Sequence, residues 1–460
     1  MNPATAPAIR PFAVTHRAVL AIAVPASLAL ITEPLVGVVD TVLVGRLGEA
    51  SLLGGVALGA VGFDILFATF FFLRLGTAGL VAQSVGAEDR AAEAAHLARA
   101  LLIALVAGAL TLLLAGPITD LTDWGFGAGP EVSAAYREYF AIRLWSMPMV
   151  LVNFSIAGWL YGRGDARTAL VLALITNTVN AGLSAWLVLE AGLGVAGVAW
   201  GTVAAQLLAA VLGLAVALRH YGGAVAMIAL IPKDALLATA AFRRLFGLST
   251  SLVIRSLALM AAFAFFSAQG ARAGATVLAA NAILLNFFAV TAFFLDGIAA
   301  AAEQLCGKAV GAGYRPAFRR ATALSLAWGV LIGGALTAVL LLFGGAIIDL
   351  MTTAPEVREA ARAMLLFAAL TPLTGMPAFV ADGVVTGATM AREMRDGMVV
   401  ASLLFFGCAL VLQPLFGMTG LWIALHLLFV FRAIILFGLV AWREPGLFPR
   451  EVQPAGSPVG

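Results

Sequence analysis

The chain is dominated by long apolar stretches. A helix needs about 20 apolar residues to cross the hydrocarbon core of a bilayer, and twelve segments of this kind lie between residues 18 and 442. Hydrophobic residues make up 62% of the sequence and charged residues 11%, whereas a soluble domain has about 25% charged residues. The alternating ten-residue pattern of a membrane barrel is missing. The sequence therefore predicts an all-α polytopic membrane protein with 12 transmembrane helices.

The positions of lysine and arginine predict the orientation of these helices. Most of the 27 basic residues fall in alternate loops, beginning with Arg10 and Arg17 before the first apolar segment. Cytoplasmic loops carry an excess of such residues. We therefore expect both termini to be cytoplasmic, in a protein of the cell inner (plasma) membrane. The net charge of +3 then reflects topology, and no nucleic acid partner is expected.

Short motifs occur twice, at one constant offset along the chain. An even number of helices in each copy makes the copies parallel repeats, related by an axis along the membrane normal. We predict two pseudo-symmetric six-helix bundles, an N-terminal lobe at 1–220 and a C-terminal lobe at 242–445. A cytoplasmic linker at 221–241 and a disordered tail at 446–460 complete the prediction. The repeated residues are Pro130-Glu131-Val132 with Pro355-Glu356-Val357, Val85-Gly86-Ala87 with Val310-Gly311-Ala312, and Gly158 and Gly162 with Gly383 and Gly387.

The sequence contains no motif that would indicate a nucleotide-binding domain or a redox centre. A G-x-x-x-x-G-K-[ST] phosphate loop is missing from the sequence. Cys306 and Cys408 form no ligand motif, so neither a metal nor another cofactor is expected. Two similar halves around a binding site are typical of secondary transporters, and we expect an ion gradient to supply the energy.

Several motifs resemble one family of transporters. The stretches "PLVGVVDTVLVGRLG", "GLVAQSVGAED", "GKAVGAG", "GWLYGRGDART" and "NTVNAGLSAW" are similar, in order and spacing, to motifs of the multidrug and toxic compound extrusion (MATE) family. "FFLRLGTAGLVAQ", Arg255 and "FLDGIAAAAEQL" resemble its bacterial branch named for DNA-damage-inducible protein F. The resemblance implies a monomeric antiporter that exports small organic cations or amphiphiles in exchange for H⁺ or Na⁺.

The first predicted helix contains two acids, Glu33 and Asp40, on either side of Pro34. Seven residues are about two helical turns, so the two acids share one face of the helix. Ionisable residues inside a membrane are rare, and each is a functional candidate. Proline leaves a backbone carbonyl without its donor and permits a kink. We predict that Asp40, with Glu33, binds the coupling ion; the alternative is a permanently protonated structural acid.

The fifth and sixth helices offer polar partners for these acids. Asn177, Asn180 and Ser184 follow one face of the fifth helix, and Thr202 begins the sixth. They belong either to the cation site or to ordinary hydrogen bonding between helices. The resembling family usually has an acid where Ser184 stands. With one carboxylate fewer, Na⁺ would bind weakly, and we expect H⁺ as the coupling ion.

The second half has its own buried charges. Asp296 and Glu303 lie seven residues apart on one predicted helix, Arg255 lies near mid-membrane, and Asp382 lies on the tenth helix. These four residues form a predicted second polar site. A structural ion pair between Arg255 and Asp296 is the equal alternative, since a pair avoids a bare buried charge.

Aromatic, methionine and amide side chains are candidates for the substrate cavity, because cations bind aromatic faces. The same side chains also serve as ordinary packing residues. The predicted cavity residues are Phe63, Phe67, Met147, Asn153, Phe154 and Phe287.

Other functions remain open at this point. A flippase for lipid-linked oligosaccharide or lipid shares the broad architecture, but it would need a strongly cationic cavity. An exporter of one specific metabolite is a further alternative. A membrane enzyme would need a clustered nucleophile, metal set or acid–base set, and the sequence shows none.

Overall fold

The computed structural model describes residues 9–232 and 239–448, which fold into fifteen α-helices without a strand. The side chains of Glu33, 239–246, 248 and 249 lie outside this description, as do parts of the predicted linker and tail. In the first half the helices are α1 (His16–Gly45), α2 (Ala50–Phe70), α3 (Phe72–Gly86), α4 (Arg90–Leu113), α5 (Ala115–Phe126), α6 (Pro130–Leu144), α7 (Met147–Gly162), α8 (Ala166–Leu189), α9 (Gly194–Tyr221) and α10 (Ala224–Leu230). In the second half they are α11 (Thr239–Arg272), α12 (Ala275–Gly311), α13 (Arg315–Met351), α14 (Pro355–Gly387) and α15 (Ala391–Leu447).

These helices supply the predicted membrane spans. Ten helical segments of the described chain are long and apolar enough to cross a membrane, and a bent pair, α6 with α7, makes eleven. The longest helix, α15, has 57 residues and would be about 85 Å long if straight, far more than one bilayer requires. At Gly417 its backbone has φ 60° and ψ −137°, a conformation that glycine adopts readily. The two arms of α15 therefore form two spans, which brings the total to twelve.

The contacts between helices divide the described chain into two compact units. One unit contains Val24–Val81 and Arg90–Val253 and is called the N-unit below. The other, the C-unit, contains residues 9–23, Ala82–Asp89 and 254–448. The beginning of α1 and the loop after α3 thus pack with the second half of the chain. Hydrogen bonds join these segments to the second half: the N–H of Arg10 donates to the carbonyl of Ala312 at 3.0 Å, and the side-chain Nε2 of Gln83 donates to the carbonyl of Gly387 at 3.0 Å.

Repeated glycines make the same helix contact in each unit. In the N-unit, a Cβ added to Gly158 would lie 2.5 Å from the carbonyl oxygen of Arg74, and one added to Gly162 would lie 2.6 Å from that of Ala78. In the C-unit, Gly383 meets the carbonyl of Ala299 and Gly387 meets that of Glu303 in the same way. The two pairs of contacts involve residues at equivalent positions of the sequence repeat. Small residues allow close backbone approach in membranes, so these glycines set the packing of α7 on α3 and of α14 on α12.

A second pair of repeated glycines brings the two loop motifs together inside the C-unit. A Cβ on Gly86 would collide with the carbonyl of Lys308, and a Cβ on Gly311 would collide with the carbonyl of Gln83. The contact is reciprocal, because each glycine meets the residue at the partner position of the other repeat. The motifs that resemble each other in sequence are therefore also in contact.

The glycine contacts predict a specific stability defect. We expect Gly387→Ala to lower the free energy of unfolding by about 1–3 kcal/mol, the usual cost of overpacking, because its Cβ would meet the backbone of Glu303. The matched control is Gly407→Ala in α15, where nothing lies within 4 Å of the added carbon. Thermal unfolding of the detergent-solubilised protein, followed by size-exclusion fluorescence, measures both. Equal melting temperatures for the two variants would contradict the packing argument.

Candidate functional site

A cavity of about 390 Å³ lies inside the N-unit. Residues from α1, α2, α3, α6, α7, α8 and α9 line it, and most of them are apolar. Ligand sites in proteins have volumes of about 300–1,000 Å³, apolar walls and a few polar groups, and this cavity fits that description. Six residues predicted from the sequence contribute to the lining: Phe67, Asn153, Phe154, Asn177, Asn180 and Thr202.

The polar residues of α8 link this wall to its neighbouring helices. Asn180 Nδ2 donates to Thr202 Oγ1 at 2.9 Å, and Asn177 Nδ2 donates to Thr32 Oγ1 of α1 at 2.7 Å. The other amide atom of Asn180, Oδ1, is buried and has no hydrogen-bond partner. Asn180 therefore retains an acceptor that can bind a donor or a cation at the cavity wall.

Asp40 is buried in α1, with 5% of its surface exposed. Its Oδ1 is buried and has no hydrogen-bond partner, and the charge of Arg143 acts on its carboxylate. One turn further along α1, Leu43 and Val44 belong to a buried apolar cluster that includes Val198 of α9. An ionised carboxylate is costly in such surroundings unless it is fully hydrogen-bonded. The site therefore suits a carboxyl group that exists in both the neutral and the charged form.

Pro34 connects Asp40 to the cavity. It lies inside α1 and has no N–H, so the carbonyl of Leu30 lacks its usual helical donor. Leu30 and Val36, on either side of Pro34, both line the cavity. A change in the bend of α1 at Pro34 would therefore move the cavity wall. The side chain of Glu33, the other acid predicted here, lies outside the described residues.

Ser184 lies outside the cavity lining. It is fully buried, and its Oγ donates to the carbonyl of Val198 at 3.5 Å. A Cβ on Gly201 would collide with this hydroxyl. Ser184 thus packs into the interface between α8 and α9, whereas the sequence placed it among the cation-binding residues.

The predicted polar site of the second half is a buried cluster in the C-unit. Both Arg255 and Arg432 form ion pairs with Asp382, and Arg432 Nε donates to Asp382 Oδ1 at 3.1 Å. Asp296 acts electrostatically on both arginines. Asp382 thus joins the two arginines, and the alternative of an Arg255–Asp296 pair stays a prediction beside these ion pairs. Arg432 was not assigned to this site, because its position on the last helix gave no motif or spacing to indicate it.

The remaining predicted residues are packed inside their units. Phe63 is fully buried, with its ring 5.0 Å from that of Phe140, and Met147 is fully buried at the start of α7. Phe287 belongs to the apolar core of the C-unit, and Glu303 is buried in α12. Phe63, Met147 and Phe287 therefore lie outside the lining of the N-unit cavity, as side chains that fill space between helices.

Two arginines are the charged members of the cavity lining that sequence reasoning did not place there. Arg74 and Arg143 both contribute to the wall, together with Gln206 and Tyr161. Among the described residues, no group of three or more His, Cys, Asp or Glu side chains is close enough to hold a metal ion.

Twelve spans, two units with repeated helix contacts, and a cavity enclosed by the helices of one unit define a membrane transporter. The MatE family pattern matches residues 25–186 and 251–415, and the chain belongs to the MatE family. Members of this family are efflux transporters, so the chain is a transporter and not an enzyme. It is a multi-pass protein of the cell inner membrane.

Individual relatives agree with this assignment. The chain is 35% identical to DNA damage-inducible protein F of Escherichia coli (strain K12), over 94% of this chain and 92% of that protein. It is 24% identical to a probable multidrug resistance protein NorM of Chromobacterium violaceum, over 91% and 92% of the two chains. Its fold matches a crystal structure of MATE in the straight conformation with a TM-score of 0.85 at 18% identity, over 95% and 97%. The predicted fold of two six-helix bundles is confirmed.

The packing of Ser184 predicts that this position does not accept the acid that the family resemblance implies there. Ser184→Asp would press a carboxylate against Gly201 and the carbonyl of Val198. A buried acid at a helix centre costs about 2.5–3.5 kcal/mol, so we expect a clear fall in melting temperature. Ser184→Ala removes only a long hydrogen bond and should cost about 0.6 kcal/mol or less. The melting temperatures of the purified variants in detergent test this prediction. A Ser184→Asp protein as stable as wild type would refute it.

Proposed function

We propose that the chain is a secondary active multidrug efflux antiporter that exports amphiphilic organic compounds in exchange for H⁺ by alternating access. The observation that carries this proposal is Asp40, a buried carboxyl group with an unpartnered oxygen in a helix that lines the cavity. A proton supplies the missing partner, because it neutralises the carboxylate and removes the cost of burying its charge.

The proposed coupling runs through α1. When Asp40 is ionised, it is attracted to the positive charge of Arg143. When Asp40 is protonated, that attraction is lost and α1 is free to repack at Pro34. Repacking shifts Leu30 and Val36, which form part of the cavity wall, and so reduces the space for substrate. The proton and the substrate therefore favour different arrangements of α1, as coupling requires.

The polar groups of the N-unit favour H⁺ over Na⁺ as the coupling ion. Hard cations bind to several oxygen ligands, usually including carboxylates. Asp40 and Asp64 are the described carboxylates near Arg143, and Ser184, which stands where the family resemblance implies a further acid, packs against α9. Protonation of a single carboxylate requires no ligand cage. Asn180, Asn177 and Thr202 then serve to hold α8 against α9 and α1.

Amphiphiles are the substrate class that the cavity supports best. Its wall combines aromatic rings with amides and with the two arginines Arg74 and Arg143. The organic cations expected from the family resemblance have apolar bodies that fit the rings, but the described lining contains no carboxylate to balance a positive charge. We assign the C-unit cluster around Asp382 to holding α11, α14 and α15 together, because its charges are paired.

Asp40→Asn should abolish transport driven by a pH gradient. The amide fills the same space and remains neutral, so α1 can no longer respond to protons. We would reconstitute the protein into liposomes with a cationic dye (ethidium) and an anionic dye (carboxyfluorescein). Dye movement is then followed under an imposed pH gradient or Na⁺ gradient.

The control for this experiment is Asp120→Asn, which removes an acid whose side chain is 66% exposed. We expect the control to transport like wild type under a pH gradient. Full pH-driven transport by Asp40→Asn would refute the role of Asp40. Transport that follows the Na⁺ gradient alone would refute the choice of ion.

A further inference from the structure

Arg74 of α3 is a cavity-lining charge without an acidic partner among the described side chains. Its guanidinium lies over the ring of Phe71 at 4.5 Å and near that of Tyr161 at 5.4 Å. Its Nε is buried and makes no hydrogen bond, which is also true of the Nε of Arg143. No described carboxylate forms an ion pair with Arg74, although intramembrane arginines almost always pair with other groups or face a cavity. The structure therefore leaves a positive charge at the cavity wall with hydrogen-bonding capacity to spare.

Arg143, the other arginine of the lining, differs from Arg74 because it interacts electrostatically with two acids. The charges of Asp40 and Asp64 interact with it, and it donates a hydrogen bond to the hydroxyl of Tyr139. Arg143 also lies over the ring of Phe63 at 4.4 Å. Arg143 therefore belongs to the proton site, and Arg74 is the described arginine of the cavity wall that is left to bind a ligand.

A row of four phenyl rings separates the two arginines. The ring of Phe63 lies 5.7 Å from that of Phe67, and Phe67 lies 5.9 Å from Phe154. Phe154 in turn lies 5.9 Å from Phe71, which packs under Arg74. Phe67, Phe71 and Phe154 line the cavity. An apolar surface thus leads directly to Arg74, while Arg143, whose charge acts on Asp40, lies at the opposite end of the row.

The backbone at Arg74 is held in place by packing. Gly158 of α7 lies against the carbonyl of Arg74 so closely that an added Cβ would be 2.5 Å away. Asn153 Nδ2 also donates to Gln206 Oε1 at 2.7 Å, and both amides line the cavity. The charge, the rings and the amides therefore form a rigid wall, which lowers the entropy lost when a ligand binds.

We infer that the N-unit cavity binds organic anions: a carboxylate, sulfonate or phosphate group pairs with Arg74 while an aromatic or other apolar body packs along Phe71, Phe154 and Phe67. The planar guanidinium suits such groups because it offers parallel N–H donors. This inference rests on the proposed function for the statement that the anion is exported. Binding itself needs no gradient. Because Leu30 of α1 lines the same cavity, movement of α1 would expel an anion as well as any other ligand.

The test uses three probes with one aromatic body and different charges: 2-naphthoate, the neutral 2-naphthamide and the cationic 2-naphthylmethylammonium. Binding to the full-length protein in phosphatidylcholine nanodiscs is measured by titration calorimetry at neutral pH. We expect naphthoate to bind wild type about tenfold or more tightly than the amide, since a hydrogen bond to a charged group has about that effect. Equal or tighter binding of the ammonium probe would overturn the inference, and this comparison requires no variant.

Substitutions of Arg74 test whether naphthoate binds at this residue. Arg74→Gln should lose the preference for naphthoate over the amide, and Arg74→Lys should retain part of it. Arg46→Gln, which removes an exposed arginine of the same unit, should bind naphthoate like wild type. An unchanged preference in Arg74→Gln would overturn the assignment to Arg74.

A second titration, with dihexanoyl phosphatidylglycerol, distinguishes a free organic acid from a lipid headgroup. Whichever of the two ligands binds more tightly in an Arg74-dependent manner shows whether the site takes a free organic acid or a lipid headgroup. If neither ligand binds in an Arg74-dependent manner, the proposed site is refuted. Because no gradient is applied, these results stand or fall separately from proton coupling through Asp40.

Discussion

Close contact between helix backbones at glycine sets the geometry on which the rest of this protein depends. Gly158 and Gly162 place α7 directly on the carbonyls of α3, and Gly383 and Gly387 place α14 on α12. In lipid, helices gain little from the hydrophobic effect and associate through close packing instead. The N-unit contact fixes the backbone of Arg74 on one side of the cavity. The cavity is therefore a consequence of where small residues allow helices to meet.

Unlike these rigidly packed helices, α1 contains two features that allow its conformation to change. Pro34 removes one hydrogen bond from its interior, and Asp40 introduces a group whose charge can change. The two features lie within two turns of each other and border the cavity through Leu30 and Val36. In the C-unit, by contrast, the buried charges around Asp382 are mutually paired. The proposed roles of the two units follow from this difference. The charge of Asp40 changes in the N-unit, whereas the buried charges of the C-unit compensate one another.

Much of the fold could be predicted because its causes are local in sequence. Apolar length indicates spans, and repeated loop motifs indicate two halves; both predictions are confirmed by the fold. The break of α15 at Gly417 agrees with the twelve spans that apolar length predicts. The packing of the segment before Val24 and of Ala82–Asp89 with the C-unit was not predicted. Contacts such as Arg10 with Ala312 join residues far apart in sequence, and no periodicity reveals them.

Prediction of the candidate site from the sequence was limited in the same way, because contacts between helices are not visible in the sequence. Asn177 and Asn180 were predicted because helical spacing places them on one face, and Thr202 because it begins the next helix; all three line the cavity. Ser184 shares that spacing yet packs against Gly201, since small rotations of a helix decide which neighbour a residue meets. The roles of Arg74 and Arg432 depend on partners from other helices, and spacing within one helix does not report such partners. The roles assigned to these residues in transport remain proposals that the geometry supports.

The central claim is that a proton on Asp40 and a substrate in the cavity exclude one another. The most direct test adds a transported dye to purified protein in weakly buffered detergent solution and records the pH with an indicator. The account predicts that binding releases protons from wild type and that Asp40→Asn binds the dye without releasing them. Equal proton release from both proteins, or dye binding to wild type with no release at any pH, would contradict the account.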